Sequence, residues 1–248
     1  MSKTINATSK REDYSRFIVH LTRNDTATFK NGATARENFI SILKSRKIIA
    51  TRPQCLYNKK LQDMPDDIQK KFNVSCFTEV PLSQIHLLTR RIEGRKIELE
   101  SYGFVFSKEF ITSKGGQPAI YINSYGQNGL LRKTVDTLFE EAFDDGNLEE
   151  PNWRILPFIN AMYEKCDFSW EREWRFLKTL KFNLDDLICV ILPGNREPVL
   201  KDKFLKSGVA VISPGWTYEQ IILELSSQQR KTKRPVVEGQ IIKNKQKL

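Results

Sequence analysis

Two glutamates stand two residues apart in Phe168-Ser-Trp-Glu-Arg-Glu-Trp-Arg-Phe176, with aromatic residues before and after them and Arg172 between. Read as one strand, the run puts Glu171, Glu173 and Arg175 on one face and Trp170, Arg172, Trp174 and Phe176 on the other. The three aromatics of the second face would anchor such a strand in a core. Like charges held on neighbouring positions raise one pKa, so a pair kept this close calls for a cation or a sugar-like ligand in front of it. Paired carboxylates are common tools of acid–base and oxocarbenium chemistry. The plainer alternative is an edge strand whose Glu and Arg side chains form a solvated polar face.

Other reactive side chains are sparse. Cys55, Cys76, Cys166 and Cys189 are scattered without a C-x-x-C pair, and only His20 and His86 could join them. That pattern predicts neither a disulfide framework nor a zinc site, and it fits a reducing cytoplasm. No structural metal is expected, and a metal-dependent nuclease is disfavoured by the lack of clustered Asp, Glu and His residues. Cys76 with His20 would make a thiol and a base, but nothing in the sequence activates the thiol. His86 sits beside Leu87 in a helical pattern and reads as packing. For His20 the bland reading is a satisfied histidine in a first strand. No apolar run of about 18 residues is present, so no membrane span is expected. Met1-Ser-Lys-Thr-Ile-Asn lacks the apolar core of a secretion signal, which points to a cytoplasmic protein.

The elements that must position these groups are short. Strands are expected at Arg16–Thr22, Lys47–Thr51, Val74–Thr78, Tyr102–Phe106, Ala119–Ile122, Leu187–Leu192 and Val209–Ile212. Helices are expected at Ala33–Ser45, from Pro81 onward, over 130–143, over Asn152–Tyr163 with a kink at Pro157, and over Thr217–Leu225. Thr34 with Glu37 three residues on has the spacing of a capping box. Asp63–Phe72 and Lys108–Ile111 read as a turn or two of helix. Short strands interspersed with helices, without a repeat or a clear linker, predict one α+β domain over 1–225. The chain carries a net charge of +10. Seven of its basic residues (Arg230, Lys231, Lys233, Arg234, Lys243, Lys245 and Lys247) face a single acid, Glu238, in a C-terminal tail over 226–248. Such a tail suits nucleic acid or an acidic partner, or is simply a solvated terminus.

Taken together, several segments resemble one family. Val74-Ser-Cys-Phe-Thr-Glu-Val-Pro-Leu-Ser83, Tyr102-Gly-Phe-Val-Phe106, Gly115-Gly-Gln-Pro-Ala-Ile-Tyr121 and Trp170-Glu-Arg-Glu-Trp-Arg175 occur in this order. The series resembles the AbiGi-type abortive-infection proteins of bacterial phage defence. More distantly, Val19-His-Leu-Thr22 followed late by Glu-x-Glu looks like the ADP-ribosyltransferase toxins of the DarT-like and CmdT-like kinds. No middle Ser-Thr-Ser motif is present, and Val-Ser-Cys-Phe-Thr78 is at best a degenerate stand-in.

The resemblance implies a split pair of small sheets with peripheral helices, gripping NAD in a cleft without a metal. It implies that His20 and Thr22 hold the nicotinamide ribose and amide, and that Glu173 is the catalytic carboxylate. Glu171 would then polarise or deprotonate the acceptor, with Arg23 or Arg52 on the pyrophosphate. Phe77 or Tyr102 would stack on nicotinamide, with Thr78 beside them. The implied activity is transfer of ADP-ribose to nucleic acid, RNA or single-stranded DNA, by a toxin restrained by an antitoxin and served by a chaperone. RNA, including messenger RNA, is favoured. A reading of a different class is a catalytically inert binding protein or antitoxin of such a system.

Overall fold

Strand β1 (Phe17–Arg23) alternates Ile18, His20 and Thr22 on one face with Val19, Leu21 and Arg23 on the other. After it come α1 (Ala35–Ser45), β2 (Lys47–Ile48), α2 (Asn58–Gln62), α3 (Asp66–Lys71), β3 (Ser75–Thr78), α4 (Ile85–Leu88) and β4 (Leu99–Ser107). The middle of the chain holds α5 (Lys108–Ser113), β5 (Gln117–Pro118), β6 (Ile120–Asn123), α6 (Leu130–Asp144), α7 (Asn152–Ile155) and β7 (Ile159–Met162). The last part holds β8 (Glu173–Phe176), β9 (Leu180–Lys181), β10 (Leu187–Ile191), α8 (Pro198–Lys206), β11 (Ala210–Ile212) and α9 (Tyr218–Thr232). This computed structural model describes residues 14–25, 32–53, 55–93, 95, 97–125, 129–149, 151–162, 167–232, 236–237 and 240–241.

The architecture is mixed α and β. Seven strands form one ladder in the order β11-β10-β4-β1-β3-β8-β5, and β2–β9 and β6–β7 form separate pairs. Within the ladder only β10 and β11 run parallel. One face packs Ile18, Phe77, Phe104, Phe106 and Trp174 against Phe39 and Leu43 of α1. The other packs Val19, Leu21, Val105 and Ile191 against Ile85, Leu88 and Ile221. A third apolar cluster lies among the helices and the β6–β7 pair, built on Tyr57, Phe72, Phe139, Trp153 and Leu156. Among the described residues no helix is long and apolar enough to cross a membrane.

One joint in the ladder is weak. β1 pairs with β4 along most of its length, from Phe17–Ser107 to Arg23–Leu99. It pairs with β3 only at Val19–Thr78. In place of an expected split pair of sheets there is one ladder, which narrows to a single residue pair between β1 and β3.

Three local expectations need correction. The Glu-Arg-Glu run is not one strand: Ser169–Glu171 is a 3₁₀ turn, Arg172 is left-handed at φ 47°, and the strand starts at Glu173. Asp167 caps the turn by accepting from the Ser169 N–H at 2.9 Å, and Arg172 ends it by donating to the Ser169 carbonyl at 3.0 Å. Trp170 consequently stands 41% exposed rather than in the core, whereas Trp174 is buried. The helix expected over Asn152–Tyr163 stops at Ile155, a 3₁₀ turn through Pro157 follows, and Ile159–Met162 becomes a strand paired in parallel with β6. Proline removes an N–H that a helix would use, and the unpaired β6 edge supplies hydrogen bonds instead. The last helix runs through residue 225 to Thr232, so part of the expected tail is helical. Lys233, Arg234, Glu238, Lys243, Lys245 and Lys247 lie outside the described residues, as do 1–13.

The capping box does form: the Thr34 N–H donates to Glu37 Oε2 at 2.8 Å and the Glu37 N–H to Thr34 Oγ1 at 3.2 Å. It fixes the start of α1 over the ladder. Beneath, Gly103 of β4 lies between Leu21 and Ile191 in neighbouring strands. A β-carbon there would meet Leu21 Cδ2 at 2.8 Å and the His20 carbonyl oxygen at 2.9 Å. Backbone cannot yield as a side-chain tip can, so Gly103→Ala should destabilise the protein by about 1–3 kcal/mol, read as a lowered urea midpoint.

Candidate functional site

Beyond Val19–Thr78 the two central strands diverge, and a cleft of about 370 Å³ opens at the gap. That volume lies within the range of small-molecule sites. Two side chains from each strand define it: His20 and Arg23 of β1, Cys76 and Thr78 of β3. Glu171 and Glu173 close it on the β8 side, and Tyr121 and Asn160 reach it from the β6–β7 pair.

His20 bridges the gap. Its Nδ1–H donates to the Cys76 carbonyl at 2.8 Å, which fixes the tautomer, because a carbonyl can only accept. Nε2 then carries the lone pair. Burial lowers the imidazole pKa to about 4, with the Cys76 carbonyl acting in the opposite direction and Arg23 adding to the fall. The ring is therefore neutral near pH 7, an acceptor rather than a cation. Phe77 packs its ring edge-on to His20, with 5.7 Å between centroids, and is otherwise part of the core.

Across the cleft, Glu173 is gripped by an arginine with no exposed surface. Arg175 Nε donates to Glu173 Oε1 at 2.9 Å and Nη2 to Oε2 at 2.8 Å. The two residues alternate along β8 onto one face, which brings fork and carboxylate together. Arg175 Nη1 donates to the Pro157 carbonyl at 2.6 Å. Cys76, opposite Arg175 in the β3–β8 register, lies on the same face. Burial and the Glu173 charge push its thiol well up, which makes it a poor nucleophile.

Glu171 occupies a different setting. Its carboxylate lies 3.3 Å from Arg95 Nε, but Oε1 is sealed from solvent without an aligned hydrogen bond. Burial pushes its pKa up, Arg95 partly reverses this, and the Glu173 charge adds to the rise. Its backbone is held from β3, where Thr78 Oγ1 donates to the Glu171 carbonyl at 2.5 Å and accepts from the Val80 N–H at 3.1 Å.

Of the nine residues expected at a site, eight line this cleft: His20, Thr22, Arg23, Arg52, Phe77, Thr78, Glu171 and Glu173. Their immediate bonds differ. Thr22 is buried and its hydroxyl donates to the Ala35 carbonyl at 2.8 Å, tying α1 to β1. Arg23 pairs with Asp25 at 3.4 Å, and Arg52, exposed at the rim, donates to Gln69 Oε1 at 2.6 Å. Tyr102 is the correction. It lies outside the cleft lining, where its hydroxyl donates to Glu197 Oε1 at 2.8 Å beside the Arg36–Glu197 ion pair. It packs under α1 against Phe39, and β4 flanks β1 on the side away from the gap.

Arg95, Tyr121 and Asn160 belong to the cleft without having been singled out from the sequence. Arg95 sits in a charged run that reads like any surface loop. Tyr121 and Asn160 meet only through the parallel β6–β7 register, which no local pattern announces. Among the described residues, no three His, Cys, Asp or Glu side chains converge as a metal site. No protein-family model, curated protein or solved structure matches this chain.

The neutral state of His20 has a measurable consequence. A folded pKa below the ordinary 6.5 means that folding favours the neutral ring. This contribution is complete above about pH 6.5 and is lost progressively as pH falls toward about 4. His20→Gln keeps an N–H for the Cys76 carbonyl but cannot titrate. The urea midpoint of the wild type should therefore fall, relative to that of His20→Gln, between pH 6.5 and 4, whereas a constant difference would contradict the buried neutral imidazole.

Proposed function

We propose that the cleft binds NAD and that the protein is a phage-defence toxin transferring ADP-ribose to nucleic acid, with RNA favoured over single-stranded DNA. The observation that carries this reading is the pairing of a neutral imidazole and a clamped carboxylate on opposite walls of a gap in the sheet. An ADP-ribosyltransferase-like arrangement is supported by the narrowing of the ladder to one residue pair between β1 and β3.

In this reading His20 accepts a ribose hydroxyl at Nε2, which its Nδ1–H bond leaves free. Glu173 faces the ribose carbon from which nicotinamide departs. As the glycosidic bond breaks, nicotinamide leaves with the bonding pair and positive charge develops on the ribose, where a fixed carboxylate lowers the barrier. Glu171 takes the proton of the acceptor hydroxyl or amine as that group bonds to the same carbon. A raised carboxyl pKa suits a general base working near neutral pH. The step is redox-neutral and needs no metal. Arg23, Lys47 and Arg52 on the cleft border suit the phosphates.

A net charge of +10 supports a polyanionic acceptor, since phosphate neutralisation by Lys and Arg drives nucleic-acid binding. A cytoplasmic toxin of this kind requires a restraining antitoxin and, by the same resemblance, a chaperone-assisted partner. The basic residues beyond Gln229 are the candidate docking segment.

Expression of the wild type beside Glu173→Gln in bacteria, with labelled NAD and separated DNA, RNA and protein fractions, tests the reading. Growth arrest with label in RNA is expected, falling by about 100-fold or more in Glu173→Gln if fixed charge dominates. Label in DNA would reassign the acceptor. No label in any fraction, with equal growth of both strains, would leave a catalytically inert binding protein.

A further inference from the structure

The Glu173 carboxylate is tied to two layers of the protein at once. From within its own strand, Arg175 forks onto both oxygens. From the helical side, Tyr121 Oη donates to Glu173 Oε2 over a long 3.4 Å. These two contacts are joined behind the carboxylate. Arg175 Nη1 donates to the carbonyl of Pro157, in the turn that leads directly into β7. β7 pairs in parallel with β6, with Asn160 opposite Tyr121. Glu173, Arg175, Pro157, β7, β6 and Tyr121 therefore form a closed circuit.

We infer that Arg175 and Tyr121 are positioning residues for Glu173, and that the helical layer behind β6 and β7 fixes the carboxylate through them. The layer is suited to this. Trp153 and Leu156 are buried immediately before Pro157, and Tyr57 stacks on Phe139 with 4.9 Å between centroids. The Tyr57 hydroxyl in turn donates to the Val135 carbonyl at 2.9 Å, holding α6 against the chain before α2. A guanidinium without exposed surface has no solvent to turn toward, so its fork keeps one orientation. Burial and the neighbouring Glu173 charge push the Tyr121 phenol up, so it remains a donor throughout the neutral range. Its reach is long, at 3.4 Å, and such bonds commonly shorten when a substrate is bound.

For the carboxylate this inference is independent of the substrate; for the transfer reaction it rests on the proposed function. The experiment separates the two. Carbon-detected NMR of side-chain carboxyls in the full chain follows the titration of Glu173 in the wild type and in Tyr121→Phe, which removes a single oxygen. Alongside, initial rates of nicotinamide release from NAD are measured for both. Loss of one donor to the charged form should move the Glu173 carboxyl titration upward. It should also lower kcat about tenfold with KM within about twofold, because orientation rather than affinity is lost.

An unchanged Glu173 titration overturns the inference whatever the rates do. A moved titration with unchanged kcat overturns the positioning role in transfer. A moved titration with no nicotinamide release by the wild type sinks the proposed function and leaves the positioning of the carboxylate standing. Should Tyr121→Phe fail to fold, Arg175→Lys, which keeps the charge but loses the fork, is read by the same titration. The same upward shift supports the inference and none overturns it.

Discussion

A guanidinium with no exposed surface is costly to desolvate, and the Arg175 side chain is tolerated only because its neighbours answer it. Glu173 accepts from two of its nitrogens and the Pro157 carbonyl from the third. Removing one partner of such a group commonly costs about 3–5 kcal/mol, since the other charge is left buried alone. The ion pair thus constrains the surrounding chain more than it stabilises it. β8 must alternate so that residues 173 and 175 share a face, and the helical layer must bring a carbonyl to the far side. The proline at 157 helps, because it ends the helix and leaves the chain running into β7 beside the sheet.

The gap between β1 and β3 follows from a different constraint. β3 is anchored to β8 over its full length and to β1 at one residue pair. Further pairing would have to close over His20, whose Nδ1–H is already given to the Cys76 carbonyl. A side chain replaces the ladder bonds that the strands do not make with each other. The cleft is therefore a built opening in a continuous sheet, and its polar lining is supplied by residues on both faces of it.

Much of this was legible in the sequence, and what was not has physical reasons. The positions of β1, β3, β4, β10 and β11 follow from β-branched and aromatic runs, and α1 from its period and its capping box. The Glu171–Glu173 spacing brings both side chains to the cleft lining, but alternation is carried too far toward the N-terminus. The stop is made by Asp167 capping the turn and by Arg172 adopting a left-handed conformation, and neither residue type requires this. Non-glycine residues enter that region at a cost that only tertiary contacts repay, here the Glu79 N–H donating to the Arg172 carbonyl at 3.0 Å. Tyr102 was misplaced for a related reason. It shares the α1 face with His20 but stands on β4, on the far side of β1 from the gap, and Glu197 takes its hydroxyl.

The turn at 169–172 also explains why two glutamates so close in sequence have such different surroundings. On one strand they would share a face and a common set of partners. With the strand broken between them, Glu173 falls under the Arg175 fork, while Glu171 turns toward Arg95 on the loop that precedes β4. One carboxylate is saturated with aligned donors, and the other keeps a buried oxygen without any. A buried carboxylate oxygen without a donor favours the protonated form, in keeping with the raised pKa of Glu171. The left-handed residue between them thus does more than end a turn: it gives two like-charged side chains separate sets of partners.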